Sequence, residues 1–415
     1  MKRLLLLSVL PLILAHAPPH YAAGPAGAKT KINMVSFGDD IENKNWMPGY
    51  TNHVQRYHTK ESIEASLAKL KEKGASVIYW RMMWDGAPDD EIEKYSFRVQ
   101  AEKDALRRQF VNTPYAWDPH EVRWPVAVAH KLGMKIYAWI VPYNMGSPPG
   151  AYTELGIKPA LVHYPAVTIT ETQFPWMYSY LRKNPQYQLV DRAGKRHHYG
   201  VLEWAYPEAR RYWTNIVQDI VGRYDVDGVY IDTRTECMAP DFADQFGFND
   251  PVVDEYKRRH GVDIRTDDFD LEKWRALRGE YLTQLLRECS ALIHAKGKLL
   301  SMGTARGDYV GFPLGNMKLE WKKWISERII DELHLDEQGW AWGRHGYGYL
   351  TDPVTGRGLR PIDEMVRTDY GPLAKQYGVK LYFKPGLYPN QDAAWKERVA
   401  GMPEFAGVIE RPNYQ

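Results

Sequence analysis

Eight short apolar segments recur along the chain, at 32–37, 75–84, 135–143, 226–232, 298–304, 330–336, 379–385 and 405–410. Between most of them lies a stretch with helical periodicity, at 60–73, 119–132, 207–224, 274–296, 319–329, 362–377 and 391–400. Gly74, Gly133, Gly297 and Gly378 each fall just past one of these helices, where a left-handed cap residue is wanted. Strand, helix, glycine, strand in repetition calls for a parallel sheet, and eight such units close it. The expected fold is α/β, a single (β/α)8 TIM barrel over residues 30–415. Helix-to-strand links are a few residues long. Strand-to-helix links are long insertions at 85–117, 144–204, 233–270 and 337–361, all leaving on the C-terminal face, where barrels build their sites.

Composition closes off other classes. The formal net charge of +2 comes from 54 basic and 52 acidic side chains interspersed along the chain, so no like-charge run addresses nucleic acid. Met1-Lys-Arg, the apolar run from Leu4 to Ala15 and the small residues before Gly24 read as a secretory signal over residues 1–23. That run is too short to span a bilayer, so the expectation is export to the periplasm or medium without stable membrane insertion. The cysteines are Cys237 and Cys289, the second deep in a helix, and they are expected to remain unpaired thiols.

Strand register singles out the candidate acids. In Val226-Asp-Gly-Val-Tyr-Ile-Asp232, Val229 and Ile231 share one face, and Gly228, Tyr230 and Asp232 share the other. If the apolar face packs under helices, Asp232 faces the barrel mouth at the strand's C-terminal end. In Leu333-His-Leu-Asp336 the same reasoning sends His334 and Asp336 inward. Glu236 lies just beyond Asp232 on a loop that can fold back. Two carboxyl groups within ~5–10 Å, one to protonate a leaving oxygen and one to attack or activate water, are what a glycosidase requires.

Aromatic content suits a sugar ligand. The chain has 15 tryptophans and 28 tyrosines, many near strand ends or in the long links, and flat rings stack on the C–H faces of sugars. Trp80, Arg81, Trp84, Trp139, Tyr143, His198, Trp204, Arg234, Lys384 and Glu410 are the candidate substrate contacts. His197-His198 is adjacent rather than spaced for one face, and HExxH, phosphate-binding glycine loops and G-x-S-x-G are missing from the sequence. No metal or other cofactor is expected.

Tyr206-Pro-Glu-Ala-Arg-Arg-Tyr, followed by Ile220-Val-Gly-Arg-Tyr-Asp-Val-Asp-Gly-Val-Tyr-Ile-Asp232, resembles the central motif of the glycosyl-hydrolase-like family 10 barrels, within the wider amylase-like hydrolases. Trp321-Lys-Lys-Trp-Ile-Ser-Glu-Arg-Ile-Ile-Asp-Glu-Leu is similar to that family's tryptophan-bearing helix and sixth strand. The resemblance implies a TIM barrel in which Asp232 is the strand-four acid, with a second acid in the following loop at Glu236 or Asp241. Where many relatives carry consecutive aspartates, this chain has Asp232-Thr233, and Glu203-Trp204-Ala-Tyr-Pro207 stands in place of the usual Asn-Pro. The combined expectation is an exported glycoside hydrolase acting on a polysaccharide or glycoconjugate. In it Asp232 is the nucleophile or principal acid, and Glu236 or Asp336 is the proton donor. The alternatives are a non-catalytic carbohydrate-binding barrel and a metal-dependent hydrolase needing three convergent ligands.

Overall fold

The computed structural model describes residues 29–35, 60–81, 122–145, 178–233, 241–242, 244–311, 314–336, 360–385 and 393–410. Strands β1 (Thr30–Val35), β2 (Val77–Arg81), β3 (Lys135–Ile140), β6 (Gly228–Asp232), β7 (Leu299–Ala305), β8 (Glu332–Asp336), β9 (Lys380–Lys384) and β10 (Phe405–Glu410) pair in parallel and close into a barrel, with β10 returning to β1. Each coincides with one of the eight apolar segments read from the sequence.

The strands are buried on both faces, and each face has its own core. Val229, Ile231, Leu300, Met302, Leu333 and Leu335 pack outward under the helices. Ile32, Met34, Tyr79, Tyr137, Trp139, Tyr230, Tyr382 and Ile409 fill the barrel interior. Alternation along β6 therefore runs as expected, with the aliphatic residues outside and Tyr230 and Asp232 inside.

Helix ends follow local chemistry. Gly74, Gly133, Gly297 and Gly378 all adopt positive φ, the conformation in which a Cβ is penalised. Asp270 caps the helix Leu271–His294 by accepting from the Glu272 and Lys273 backbone N–H groups. The segment expected as one helix over 362–377 is broken: Ile362–Met365 passes through a π turn at Val366–Tyr370 before Gly371–Tyr377. Pro372 has no N–H to return to the preceding turn, which is reason enough for the ladder to widen there.

The long links carry regular elements beyond those expected from the sequence. The link after β3 carries an antiparallel pair, β4 (Gln188–Val190) with β5 (His197–Leu202). The link after β6 carries the helix Asp250–His260, ended by Gly261 at φ 72°.

Candidate active site

Three charged side chains meet at the C-terminal ends of β6, β8 and β9. Lys384 Nζ lies 2.8 Å from Asp336 Oδ2 and 3.8 Å from Asp232 Oδ2. The two carboxylate oxygens are therefore no more than about 6.6 Å apart. Asp232, Asp336 and Lys384 are 4%, 6% and 7% exposed, so all three charges sit inside the mouth. Asp336 and Lys384 are register partners on adjacent strands, which brings their side chains to one height on the inner face.

Asp232 is two strands away from Asp336, and β7 runs between them. β7 presents Gly303 opposite Asp232 and Ala305 opposite Asp336. With so little side-chain volume on the intervening strand, the charged groups meet across it. Thr233 then ties the end of β6 to β7, since its backbone N–H and its hydroxyl both donate to the Gly303 carbonyl, at 3.2 and 3.0 Å.

Aromatic rings and neutral hydrogen bonds form the floor beneath the charges. Tyr230 stacks on Tyr79 at 4.5 Å and lies 4.8 Å from the His334 ring. His334 Nε2 is 2.8 Å from Tyr79 Oη and 2.6 Å from Ser301 Oγ. Burial, reinforced by the nearby Lys384 charge, holds the His334 pKa well below its ordinary value. Deeper still, Glu332 accepts hydrogen bonds from Tyr79, Tyr137 and Tyr382 at 3.3, 3.3 and 3.4 Å, and burial pushes its carboxyl pKa up. Ser301, Glu332 and these tyrosines were not singled out from the sequence. The signal was present in the alternating positions of β2, β3 and β9, each of which carries one inward tyrosine: Tyr79, Tyr137 and Tyr382.

The other residues named from sequence separate into distinct places. Arg81 lies over the Trp139 ring, 5.1 Å from its centroid, on the inner face alongside Asp232 and Asp336. Trp80, between Tyr79 and Arg81, turns outward into the core beneath the helices. Tyr143 and Trp204 also belong to that outer core, where the indole N–H donates to the tyrosine hydroxyl at 2.7 Å. His198 is buried in the β4–β5 pair and stacks on Phe246 at 5.1 Å. Glu410 forms an ion pair with Lys31 at 2.8 Å, and Ile409 beside it fills the barrel interior. Asp241 pairs with Arg196 at 2.6 Å on the surface. Glu236, Trp84, Arg234 and Cys237 lie outside the described residues. Among the described residues no group of three His, Cys, Asp or Glu side chains is arranged to hold a metal ion.

Residues 124–337, more than half of the chain, match the family described as glycosyl hydrolase-like 10. The chain belongs to this family. Both β6 with Asp232 and β8 with Asp336 fall inside the matched span. Among curated relatives, the glycosyl hydrolase DigH of Escherichia coli (strain K12) is 25% identical over 183 residues. The alignment takes in 44% of this chain and 36% of DigH, little more than a third of the relative's length. Among solved structures, the glycoside hydrolase domain of PgaB (BpsB) from Bordetella bronchiseptica aligns over 86% of this chain and 84% of its own, with 15% identity and a TM-score of 0.44. The α-L-fucosidase isoenzyme 2 from Paenibacillus thiaminolyticus aligns over 92% of this chain and 46% of its own, with 11% identity and a TM-score of 0.47.

Proposed function

We propose that this glycosyl hydrolase-like barrel is an exported glycoside hydrolase that cleaves a polysaccharide or glycoconjugate. Asp232 acts as the nucleophile or principal catalytic acid. Asp336 and Glu236 are the candidate proton donors. Trp139, Arg81 and Lys384 line the inner face beside Asp232, where a sugar would rest. The observation that carries this reading is the convergence of Asp232 and Asp336 on Lys384 inside the mouth. Taking charges out of water is expensive, and replacing such a cluster by apolar side chains commonly leaves a fold as stable or more so. Charges gathered at the C-terminal rim of a barrel, where substrate sites are built, are therefore better explained by chemistry than by stability. The spacing suits a carboxyl pair acting across a glycosidic bond, ~5–10 Å. The basic and apolar run in residues 1–23 supports export.

A panel of soluble polysaccharides with reducing-end detection tests the reading. The parent protein should release reducing ends from at least one glycan. Asp232→Asn should lower that rate by at least ~100-fold while melting at the parent temperature. A parent that binds glycans yet releases no ends from any of them would make the barrel a carbohydrate-binding module instead.

A further inference from the structure

We infer that Asp227 and Asp331, at the end of the barrel opposite the mouth, are positioning residues. Each sets the register of the strand that delivers an acid to the site, Asp227 for Asp232 and Asp331 for Asp336. This rests on those two acids being the working pair, and it names what places them.

Asp227 immediately precedes β6, and Asp331 immediately precedes β8. Each holds one residue of the preceding barrel strand by both of its backbone groups. The Ile136 N–H of β3 donates to Asp227 Oδ2 at 2.9 Å, and the Asp227 N–H donates back to the Ile136 carbonyl at 2.8 Å. Leu300 of β7 and Asp331 repeat the exchange at 2.8 and 2.9 Å. In both places the same carboxylate oxygen also meets a histidine from the helix that leads into the preceding strand, His130 Nε2 at 3.0 Å and His294 Nε2 at 2.8 Å. The spacing repeats as well. His130-Lys-Leu-Gly133-Met-Lys-Ile136 matches His294-Ala-Lys-Gly297-Lys-Leu-Leu300 in length, with a positive-φ glycine midway in each. Ser76, just before β2, makes a serine version with Lys31 of β1: the Lys31 N–H donates to Ser76 Oγ at 3.2 Å, and the Ser76 N–H to the Lys31 carbonyl at 3.0 Å.

Every one of these staples lies five residues before a charged side chain of the inner face: Ser76 before Arg81, Asp227 before Asp232, Asp331 before Asp336. At about 3.3 Å per residue, a staple and its acid are ~16 Å apart. The strand itself is the connection between them. β6 and β8 are buried on both faces, and hydrophobicity does not tell the two faces of such a strand apart. A slip of one residue would nonetheless turn Asp232 or Asp336 out of the mouth. A carboxylate bonded to one particular residue of the neighbouring strand removes that freedom, and so fixes the height at which the acid arrives.

The test uses the full chain carrying 13C at its aspartate carboxyl carbons, with the Asp232 and Asp336 signals assigned through Asp232→Asn and Asp336→Asn. Asp227→Val should shift or split the Asp232 signal and leave Asp336 the less changed of the two. Asp331→Val should do the reverse. Asp227→Asn and Asp331→Asn keep an oxygen for the strand N–H, so both signals should stay in place. A contact that merely stabilises the fold would disturb both acids alike or neither, and either result would overturn the inference. If a valine variant fails to fold, Asp227→Glu or Asp331→Glu replaces it, since it keeps the charge and carries the oxygens ~1.5 Å further out. The same selectivity is expected there, and its absence is equally decisive.

Kinetics add an independent arm on whichever panel polysaccharide the parent cleaves. Each valine variant should lose ~100-fold in kcat, the scale of a displacement of about 1 Å at the reacting groups. KM should stay near the parent value, and the asparagine variants should keep the parent rate. Valine variants that turn over as fast as the parent would sink the positioning role. A parent without turnover on any glycan defeats the hydrolase reading alone, and the aspartate signals still decide this one.

Discussion

The hydroxyl of Tyr230 occupies the space in which a side chain on Gly303 would begin, since a Cβ there would lie 2.1 Å from Tyr230 Oη. The two residues belong to neighbouring strands, β6 and β7, and Gly303 is the register partner of Asp232. The glycine thus serves two purposes at one height. It admits the Tyr230 ring into the floor, and it places no side chain of its own beside Asp232, its register partner.

Gly303→Ala should therefore destabilise the fold, against the usual tendency of alanine to outdo glycine within a strand. Tyr230 cannot withdraw freely, because it is stacked on Tyr79 and packed beside His334. Overpacking of this kind costs ~1–3 kcal/mol, to be read as a lower urea midpoint with an unchanged slope. A midpoint equal to the parent's would mean that the floor yields more easily than its packing suggests.

Trp204 and Tyr143 should behave as structural residues. Trp204→Phe removes an indole N–H that donates to the buried Tyr143 hydroxyl, whose pKa burial already pushes up. The loss of ring volume and of a buried donor together should cost ~1–3 kcal/mol. Glycan affinity, measured by calorimetry with a panel glycan, should stay within twofold of the parent. A large loss of affinity with unchanged stability would instead return Trp204 to the substrate site.

The outward turn of these two aromatics shows where sequence reasoning reached its limit. Within a strand the alternation of aliphatic residues gives direction, and it sent Asp232, His334 and Asp336 inward as found. Tyr143 lies beyond Ile140, the last residue of β3, so no strand geometry constrained it. Trp80 sits between Tyr79 and Arg81 in a strand buried on both faces, and hydrophobicity does not tell its two faces apart. Glu410 follows the same alternation: with Ile409 inside, the neighbouring acid turns out, toward Lys31. The β4–β5 pair escaped because Gln188–Val190 is three residues long, too short for a periodic signal. The helix Asp250–His260 escaped for a related reason, as it buries only Val252, Val253 and Tyr256. The convergence of Asp232 and Asp336 on Lys384 required three strands in register, which no local pattern encodes.

Cys289 should be inert in the native protein. It is a free thiol sealed in the core, and burial pushes its pKa up to about 12. Since the thiolate is the reactive form, iodoacetamide at pH 8 followed by peptide mass mapping should leave Cys289 unmodified until denaturant is added. Alkylation at the native rate of an exposed thiol would show that the helix Leu271–His294 opens far more readily than its buried face implies.

A pH dependence of stability should come from Glu332. Its carboxyl is enclosed by the barrel interior, and burial is the main cause of its raised pKa, set against an ordinary value of 4.5. A group that holds its proton more tightly when folded contributes stability that is fully present below the unfolded value. That contribution is lost as pH rises from about 4.5 through the folded value. Glu332→Gln keeps the shape and an acceptor for the three tyrosine hydroxyls but cannot ionise. Parent and variant should thus differ little in their pH trend below 4.5, after which the parent should lose ground by up to ~1.4 kcal/mol per pH unit until the folded value is passed. Glu203, another acid whose pKa burial raises, is present in both proteins and drops out of the comparison. Urea unfolding of the two proteins at intervals from pH 4 to 8 reads the difference directly, and a difference that stays constant across that range would show that Glu332 is as well solvated in the barrel as in the unfolded chain.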